Sequence, residues 1–298
     1  MEIGGSGLMR VMIFGCGYSG QAIAEAFEAE GARVSGTARS TEKAQDLATK
    51  DIHAFVFDGS AFSNELLIEL REVTHLVQSI PPGKEGDPLL KLLARQLREL
   101  CPKLQWIGYL STVGVYGDHG GGWVTEETPG SPILGRSIER VDTEEAWISE
   151  GKGGGIPVAI LRLAGIYGPG RNAFVNLARG TARRIIKKDQ VFNRIRVEDI
   201  GGAALFLAKR EMEGIYNVTD DEPGPPQDVI IEAARLMGVE PPPEQDFETA
   251  DMTPMARSFY GANKRVSNAK IRALGFQFRF PNYRMSLDEM WSTGRWRG

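Results

Sequence analysis

The chain has few of the residues that build covalent frameworks or metal centres. Its 298 residues include only two cysteines, Cys16 and Cys101, and three histidines. Two cysteines are too few for a disulfide framework, and dispersed histidines without paired cysteines offer no metal-ligand set. Sparse thiols are typical of a reducing compartment, so we expect a cytoplasmic protein without a metal site.

Long apolar runs are also missing. No stretch of about 18 consecutive apolar residues occurs, and the first residues lack the basic flank and apolar core of a signal peptide. We therefore expect no membrane association. Residues 4–7 read Gly-Gly-Ser-Gly, a flexible composition that favours an extension ahead of Met9.

An excess of positive charge is the third absence. The chain has 35 basic and 39 acidic residues, a formal net charge of -4 and a pI near 5.6. Nucleic acids and anionic membranes require clustered Lys and Arg, so neither is an expected partner. With 42% hydrophobic and 25% charged residues, the composition is that of a globular protein. The partner that we expect is a small-molecule substrate.

Short apolar runs alternate with helical patterns through the first half of the chain. This alternation predicts an α/β fold, a Rossmann-type doubly wound parallel sheet with crossover helices. The six predicted strands are 11–14, 33–37, 53–57, 75–79, 104–110 and 158–163. The predicted helices are 20–30, 42–49, 63–72, 88–100 and 138–149.

The residue composition changes after Leu163, where Gly-Pro turns occur and proline-rich stretches follow at 223–226 and 241–243. We predict an NAD(P)-binding Rossmann domain at 9–165, with return elements near 191–219. Residues 166–190 and 220–298 would form a smaller, C-terminal substrate-binding lobe.

A glycine-rich segment follows the first predicted strand and opens the first predicted helix. In a dinucleotide-binding loop, Gly15 makes the tight turn, Gly17 lets the backbone approach the pyrophosphate, and Gly20 allows close helix–strand packing. The helix N-terminus, with Tyr18 and Ser19, would face the anion. Cys16 is interpreted as a small loop residue and not as a nucleophile.

The end of the second strand indicates the type of cofactor. NAD-binding proteins carry an acidic residue there for the ribose 2′-hydroxyl, whereas this chain has Arg39 and Ser40. These side chains suit a 2′-phosphate, so NADP is predicted and NAD is the alternative. Asp58, after the third strand, is either an acceptor for the adenine amino group or a helix N-cap.

Later segments resemble the extended short-chain dehydrogenase/reductases of the NAD-dependent epimerase/dehydratase family. The similar segments are 110–118, 161–171, 194–200 and 216–218. The resemblance implies that Thr112 orients the substrate. It also implies that the cofactor is contacted by Ser79 and Ile80 after the fourth strand and by Gly165 and Ile166 after the sixth. Arg196 replaces the usual family His.

The family's Tyr and the Lys four residues later, on the helix after the fifth strand, are missing. One register places Leu134 and Ile138 at the pair, and another places Arg136 and Arg140 there. Tyr260 and Lys264 have the right spacing but lie far along the chain, so we interpret them as a coincidence. The chain therefore resembles an atypical branch that keeps the cofactor frame without the tyrosine.

Three explanations of this gap stay open. In the first, a substitute acid acts on a carbonyl held by Thr112. This acid is Tyr116, or it is Arg136 or Arg140 acting through water. The alternative role for Tyr116 is packing beneath its loop. Alternatively, an imine substrate arrives already protonated. The third explanation is a non-catalytic NADP(H)-binding sensor or regulatory protein. An oxidoreductase or epimerase/dehydratase-like protein acting on a carbonyl, imine or nucleotide sugar is favoured.

Other features receive simpler interpretations. If the substrate carries a phosphate, Arg171 and Arg196 are candidates to contact it. The glycine run at 120–122 is interpreted as a surface loop or a lid, and Glu144 with Glu145 as a solvated helix face. Both monomer and homodimer are compatible with the sequence.

Overall fold

Strands and helices alternate from Arg10 onward, as the sequence predicts. The computed structural model describes residues 8–133 and 135–298. The glycine-rich leader at 4–7 and Leu134, one member of the first Tyr/Lys register, lie outside the described residues. Two compact units are formed. Among the described residues, the first contains 8–112, 135–162 and Ile200–Tyr216, and the second contains Val113–Ile133, Leu163–Asp199 and Asn217–Gly298.

The strands are short. They are β1 (Arg10–Phe14), β2 (Arg33–Ala38), β3 (His53–Val56), β4 (His75–Gln78), β5 (Trp106–Thr112), β6 (Trp123–Val124), β7 (Val158–Leu163), β8 (Gly165–Tyr167), β9 (Arg184–Ile186), β10 (Arg194–Arg196), β11 (Gly214–Val218), β12 (Glu244–Asp246) and β13 (Arg265–Val266).

The helices connect these strands. They are α1 (Tyr18–Glu28), α2 (Thr41–Ala48), α3 (Asn64–Leu70), α4 (Pro88–Leu93), α5 (Leu97–Leu100), α6 (Gly135–Gly154), α7 (Ala173–Ala178), α8 (Val197–Ala208), α9 (Pro226–Met237), α10 (Pro254–Ser258), α11 (Ala269–Ala273) and α12 (Tyr283–Ser292).

The central sheet has seven strands in the order β11-β7-β5-β4-β1-β2-β3. β1 pairs in parallel with both β2 and β4, and the pairs β2–β3 and β4–β5 are also parallel. The predicted Rossmann-type sheet is therefore confirmed, but the count of six strands is wrong. The additional edge strand, β11, is the segment GIYNV, which the sequence places only within the return elements near 191–219. Its Gly214 and Asn217 interrupt the continuous apolar run that is typical of a buried parallel strand.

The predicted helix at 88–100 is interrupted. Ala94 leaves the helical region, and Arg95 adopts a left-handed φ of 63°. The backbone NH of Arg95 donates to Glu150 Oε1 at 3.1 Å, so a tertiary contact accompanies the break in a leucine-rich segment. The sequence pattern could not reveal this break, because Leu, Lys, Arg and Gln all favour helix.

Each unit has its own apolar core. In the first, side chains from the sheet and its helices form a buried cluster that includes Met12, Leu76, Leu93, Ile107, Trp147 and Ile160. In the second, a separate cluster includes Phe174, Ala233, Tyr283, Leu287 and Trp296. Within the described residues, no helix is both long and apolar enough to cross a membrane.

Candidate functional site

The direction of the chain across the sheet reverses between β1 and β4. From β1 the chain proceeds to β2 and β3 on one side, whereas β4, β5 and β7 lie on the other. In open parallel sheets, ligands bind in the crevice at the carboxyl ends of the strands at such a switch point. Gly15 follows β1 and Ser79 follows β4, so two predicted cofactor segments flank this crevice.

The glycine loop is fixed by its neighbour strand. Gly15 has a φ of 79°, and its NH donates to Thr37 Oγ1 at 2.9 Å. The NH of Cys16 donates to the carbonyl of Thr37 at 2.8 Å. These bonds anchor the turn to β2, and only glycine adopts this φ without strain. Burial raises the pKa of the Cys16 thiol to about 12, which makes it a poor nucleophile.

The space around the three glycines differs. A Cβ on Gly15 would lie 2.8 Å from Ile80 Cγ1, and one on Gly20 would lie 3.2 Å from Ile13 Cγ2. A Cβ on Gly17 would meet only the carbonyl oxygen of Gly15, at 4.0 Å. Gly15 and Gly20 therefore serve close packing, whereas Gly17 is exposed and leaves its surroundings open.

Helix α1 begins in this loop without a side-chain cap. Gly17 occupies its N-cap position, and Tyr18 and Ser19, both half-buried, are its first residues. In contrast, α2 and α3 are capped by the hydroxyls of Ser40 and Ser63. An uncapped helix N-terminus presents amide groups and positive partial charge to an anion.

The end of β2 carries no carboxylate. Arg39 and Ser40 are both exposed directly after the strand. Ser40 Oγ also accepts the backbone NH of Lys43 at 3.4 Å, which caps α2. The surface after β2 therefore offers a guanidinium and a hydroxyl beside a helix N-terminus.

Asp58 is exposed in the loop after β3. Its Oδ1 accepts the NH and hydroxyl of Ser60 at 2.9 and 2.6 Å, and these bonds hold its pKa below the usual value. The alternative that Asp58 caps the next helix is wrong, because α3 starts later and is capped by Ser63. Its contact with adenine stays a prediction.

Helix α6 brings one of the two candidate registers to the end of β5. Arg140 Nη1 donates to the carbonyl of Leu110, and its guanidinium lies 5.9 Å from the ring centre of Tyr109. Arg136 is exposed one turn earlier, and Ile138 is 47% exposed. The geometry thus favours the register of Arg136 and Arg140. Thr112, half-buried, ends β5.

Sequence reasoning assigned the wrong environment to Glu144, which lies one turn beyond Arg140. It is 2% exposed, accepts the hydroxyl of Ser111, and pairs with Arg162 Nη2 at 2.6 Å. The interpretation of Glu144 as part of a solvated face is therefore wrong, although its neighbour Glu145 is exposed. The spacing of four residues from Arg140 was the available signal, because it places both on one helix face.

The sequence matches a family model over most of its length. The model of the NAD dependent epimerase/dehydratase family covers residues 11–218. The chain belongs to this family. The resemblance inferred from the segments around Thr112 and Gly165 is thereby confirmed.

Individual relatives extend over nearly the whole chain. Protein YeeZ of Escherichia coli is 28% identical over 287 residues, covering 92% of this chain and 97% of YeeZ. A conserved protein of unknown function from Silicibacter pomeroyi is 42% identical, with a TM-score of 0.86 over 96% of this chain and 99% of its own. Thermus thermophilus UDP-glucose 4-epimerase, solved with NAD, shares 22% identity and the fold, with a TM-score of 0.72 over 94% and 98%.

The family segment after β5 continues into the second unit with Tyr116. This side chain is fully buried, and its hydroxyl donates to Asn217 Oδ1 at 2.7 Å. The backbone NH of Asn217 in turn donates to Glu126 Oε1 at 2.8 Å. The geometry favours packing beneath the loop over a role for Tyr116 as a substitute acid.

The predicted cofactor residues of the second unit lie on β8. Gly165 is exposed and its NH donates to the carbonyl of Asn193 at 3.0 Å, while Ile166 is half-buried. β8 pairs in parallel with β10. Their contact with the cofactor stays a prediction from the family resemblance.

Arg196, at the family His position, is held inside the second unit by ion pairs. It is fully buried and pairs with Glu198 at 2.6 Å and Glu289 at 3.0 Å. It also donates to the hydroxyl of Ser286 at 2.8 Å, on α12. The hypothesis that Arg196 contacts a substrate phosphate is wrong, because two carboxylates neutralise it inside the core.

The glycine run of the second unit and its neighbours are held by hydrogen bonds to residues 263 and 264. The NH groups of His119 and Gly121 both donate to the carbonyl of Asn263 at 2.9 Å. Lys264, 6% exposed, donates from Nζ to the carbonyl of Gly117 at 2.8 Å, and burial lowers its pKa to about 8. These contacts favour the surface-loop interpretation over a lid, and they give Lys264 a structural role independent of Tyr260.

Proposed function

We propose that this protein binds NADP(H) in the crevice between β1 and β4 and is an enzyme of the oxidoreductase or epimerase/dehydratase type. The observation that carries the proposal is the end of β2, where Arg39 and Ser40 are exposed and no carboxylate follows the strand. A guanidinium and a hydroxyl can donate to a 2′-phosphate. The ribose 2′-hydroxyl of NAD would lack its acceptor.

The crevice fits a dinucleotide on structural grounds. Three features together form a cradle for a pyrophosphate. They are the close approach of Ile80 to Gly15, the open space around Gly17 and the uncapped start of α1. When bound, NADP(H) supplies hydride transfer to or from a substrate carbon. Arg39 and Ser40 would hold the 2′-phosphate, and Ser79 and Ile80 would border the cofactor on the β4 side.

Two residues of the first unit are assigned to the substrate end of the proposed site. Thr112, at the end of β5, would orient a carbonyl or imine through its hydroxyl. Arg140, held at the carbonyl of Leu110, would keep a positive charge at this end of the strand, but an arginine is a poor proton donor. We therefore favour an imine that arrives protonated, or a carbonyl protonated through water. The buried pairs of Arg196 exclude it as a phosphate contact, whereas Arg171 is exposed and would be the contact if the substrate is a nucleotide sugar.

A cytoplasmic location belongs to the same proposal. Cys16 and Cys101 are both buried and free. Unpaired thiols are compatible with a reducing compartment. This supports the cytoplasm as the place of action.

Cofactor preference is tested by fluorescence titration of the full chain with NADPH and NADH. Arg39→Ala should weaken NADPH binding about tenfold and leave NADH nearly unchanged, because only NADPH carries the 2′-phosphate. Arg33→Ala is the matched control, since Arg33 is an exposed arginine at the other end of β2. Equal losses in both variants, or a preference for NADH in the unsubstituted protein, would contradict the assignment.

Turnover is tested by following NADPH absorbance with panels of carbonyl and imine compounds. Thr112→Ala should reduce any activity about a hundredfold if its hydroxyl orients the substrate. Thr49→Ala, at an exposed position, is the control. Unchanged turnover in Thr112→Ala would remove that role, and tight NADPH binding without turnover on any compound would favour the sensor alternative.

A further inference from the structure

We propose that Asp87 is a positioning residue for the segment after β4, residues 79–83, and through it for the nicotinamide half of the cofactor. The proposal rests on the NADP(H) site described above. Asp87 acts through Gln78 and Ile80, so it is a positioning residue and not a catalytic one.

The carboxylate of Asp87 is buried and saturated with donors. It is 4% exposed, and its Oδ1 caps α4 by accepting the NH groups of Leu89 and Leu90 at 2.8 and 3.1 Å. Gln78 Nε2 donates to both carboxylate oxygens, at 2.8 and 2.9 Å. Trp147 Nε1 donates to Oδ2 at 3.1 Å. Capping alone uses two of these five contacts, so most of the carboxylate's contacts are made outside its own helix.

The charge on Asp87 decides how the amide of Gln78 is turned. Gln78 is fully buried at the end of β4. Because an ionised carboxylate has no donor, only the Nε2 side of the amide can face it. The other side, Oε1, then points to the following backbone and accepts the NH of Ile80 at 3.3 Å. A flipped amide would present a second donor to that NH instead.

Ile80 contacts the glycine loop, so its position links the orientation of the Gln78 amide to that loop. A Cβ on Gly15 would lie 2.8 Å from Ile80 Cγ1 and 3.1 Å from its backbone nitrogen, so the two segments are in close contact. The preceding residue, Ser79, donates its NH to the carbonyl of Phe14 at 2.9 Å. The segment after β4 therefore forms the wall of the crevice on the β4 side.

The strand order assigns this wall to one half of the cofactor. β4 and β2 flank β1 on opposite sides. Arg39 and Ser40 follow β2 and would hold the adenosine half with its 2′-phosphate. In a doubly wound sheet the two mononucleotide halves occupy the two sides of the switch point, so the wall after β4 faces the nicotinamide half.

The same carboxylate reaches the helix that carries Arg140. Trp147 lies two turns after Arg140 on α6, and its ring stacks on Tyr109 with centroids 6.5 Å apart. The guanidinium of Arg140 lies over that tyrosine ring. Asp87 thus connects the glycine loop, the wall after β4 and the helix with the atypical arginine pair.

Asp87→Asn is the primary test. The asparagine oxygen can still cap α4, but its Nδ2 replaces one of the two acceptors of Gln78 Nε2 and opposes it. We expect the Gln78 amide to flip, so that its oxygen accepts from Nδ2 and the bond from Ile80 is lost. We expect about tenfold weaker binding of NADPH. Binding of adenosine 2′,5′-bisphosphate, which carries only the adenosine half, should change less than about twofold. In the ligand-free protein, hydrogen exchange at the Ile80 amide should become faster.

A second substitution should rescue the first. In Asp87→Asn with Gln78→Glu, the carboxylate of residue 78 accepts from the asparagine Nδ2 with one oxygen and from Ile80 with the other. NADPH affinity and Ile80 protection should return to within about twofold of the original. The contact of Trp147 Nε1 with the second carboxylate oxygen of Asp87 is lost in both variants, so their difference isolates the Ile80 bond. Trp147→Phe is the structural control, and should lower the melting temperature without changing the ratio of the two affinities.

The outcomes separate the two proposals. Unchanged NADPH affinity and Ile80 exchange in a folded Asp87→Asn protein would overturn the positioning role, as would equal, unrescued losses for both ligands. If Asp87→Asn does not fold, Gln78→Met removes the same acceptor and carries the same expectations. If the unsubstituted protein binds neither ligand, the proposed function fails, and Ile80 exchange in the apo variants alone decides the role of Asp87.

Discussion

The two glycine-rich loops of this chain, residues 15–20 in the first unit and 117–122 in the second, have similar compositions and opposite environments. The first opens an uncapped helix, and its Gly17 has free space around it. The second is held by the segment from Asn263 to Arg265 through backbone and side-chain bonds. Glycine content alone therefore does not indicate a ligand loop; the open space around Gly17 and the start of a helix without a side-chain cap do.

The largest effect is expected in the second loop. Gly117 has a φ of 73°, and a Cβ there would lie 1.9 Å from the carbonyl oxygen of Ser131. Gly117→Ala should lower the free energy of unfolding by about 3 kcal/mol or more, because it combines a backbone clash with strain. Urea denaturation measures this. Gly120→Ala, with φ 55° and no neighbour within 4 Å, should cost only about 1 kcal/mol; equal costs would contradict the comparison.

Gly15→Ala should combine loss of stability with loss of binding. Its φ of 79° and its contact with Ile80 predict a cost of about 2 kcal/mol and at least about tenfold weaker NADPH binding. Gly31→Ala is matched in φ, at 78°, but has nothing within 4 Å. It should cost about 1 kcal/mol and leave the affinity unchanged. Similar affinities in the two variants would show that Gly15 is not at the cofactor.

Lys264 should make stability depend on pH in the alkaline range. Burial lowers its pKa from 10.5 to about 8, so between these values the unfolded chain binds more protons than the folded one. Stability contributed by this group therefore rises as the pH increases from about 8 to 10.5. Relative to Lys264→Met, the unsubstituted protein should gain about 2 kcal/mol between pH 7.5 and 10 in urea unfolding. A constant difference would mean that Lys264 is not buried as a cation.

The smallest effect on stability, with a large effect on binding, is expected at Gly17. Its φ of -87° suits any residue, and among the described residues beyond its chain neighbours no atom would lie closer than 4.0 Å to a Cβ there. Gly17→Ala should change the free energy of unfolding by less than about 0.5 kcal/mol. NADPH affinity, measured by fluorescence, should fall at least about tenfold, because the methyl group would occupy the path of the pyrophosphate. Unchanged affinity would contradict binding of the cofactor pyrophosphate at this loop.

Several parts of the site were accessible from the sequence because their signals are local. The strand, the glycine spacing and the following helix are contiguous, and Arg39 with Ser40 can be recognised by counting along the chain. In contrast, the sequence analysis assigned Glu144 to a solvated face and did not identify Asp87. Glu144 pairs with a residue 18 positions away, and Asp87 with Trp147, 60 positions away. Asp87 does not differ locally from an ordinary capping carboxylate, and the spacing of Glu144 from Arg140 indicates a shared helix face but not that this face is buried.

By itself the sequence determined the Rossmann-type sheet, the position of the glycine loop and the absence of an acid after β2, because hydrophobic periodicity and turn chemistry operate over a few neighbouring residues. Only the tertiary structure decided the break at Arg95, the burial of Glu144 and Arg196, and the orientation of Gln78. Each of these depends on which distant side chain supplies the matching donor, acceptor or charge once water is removed.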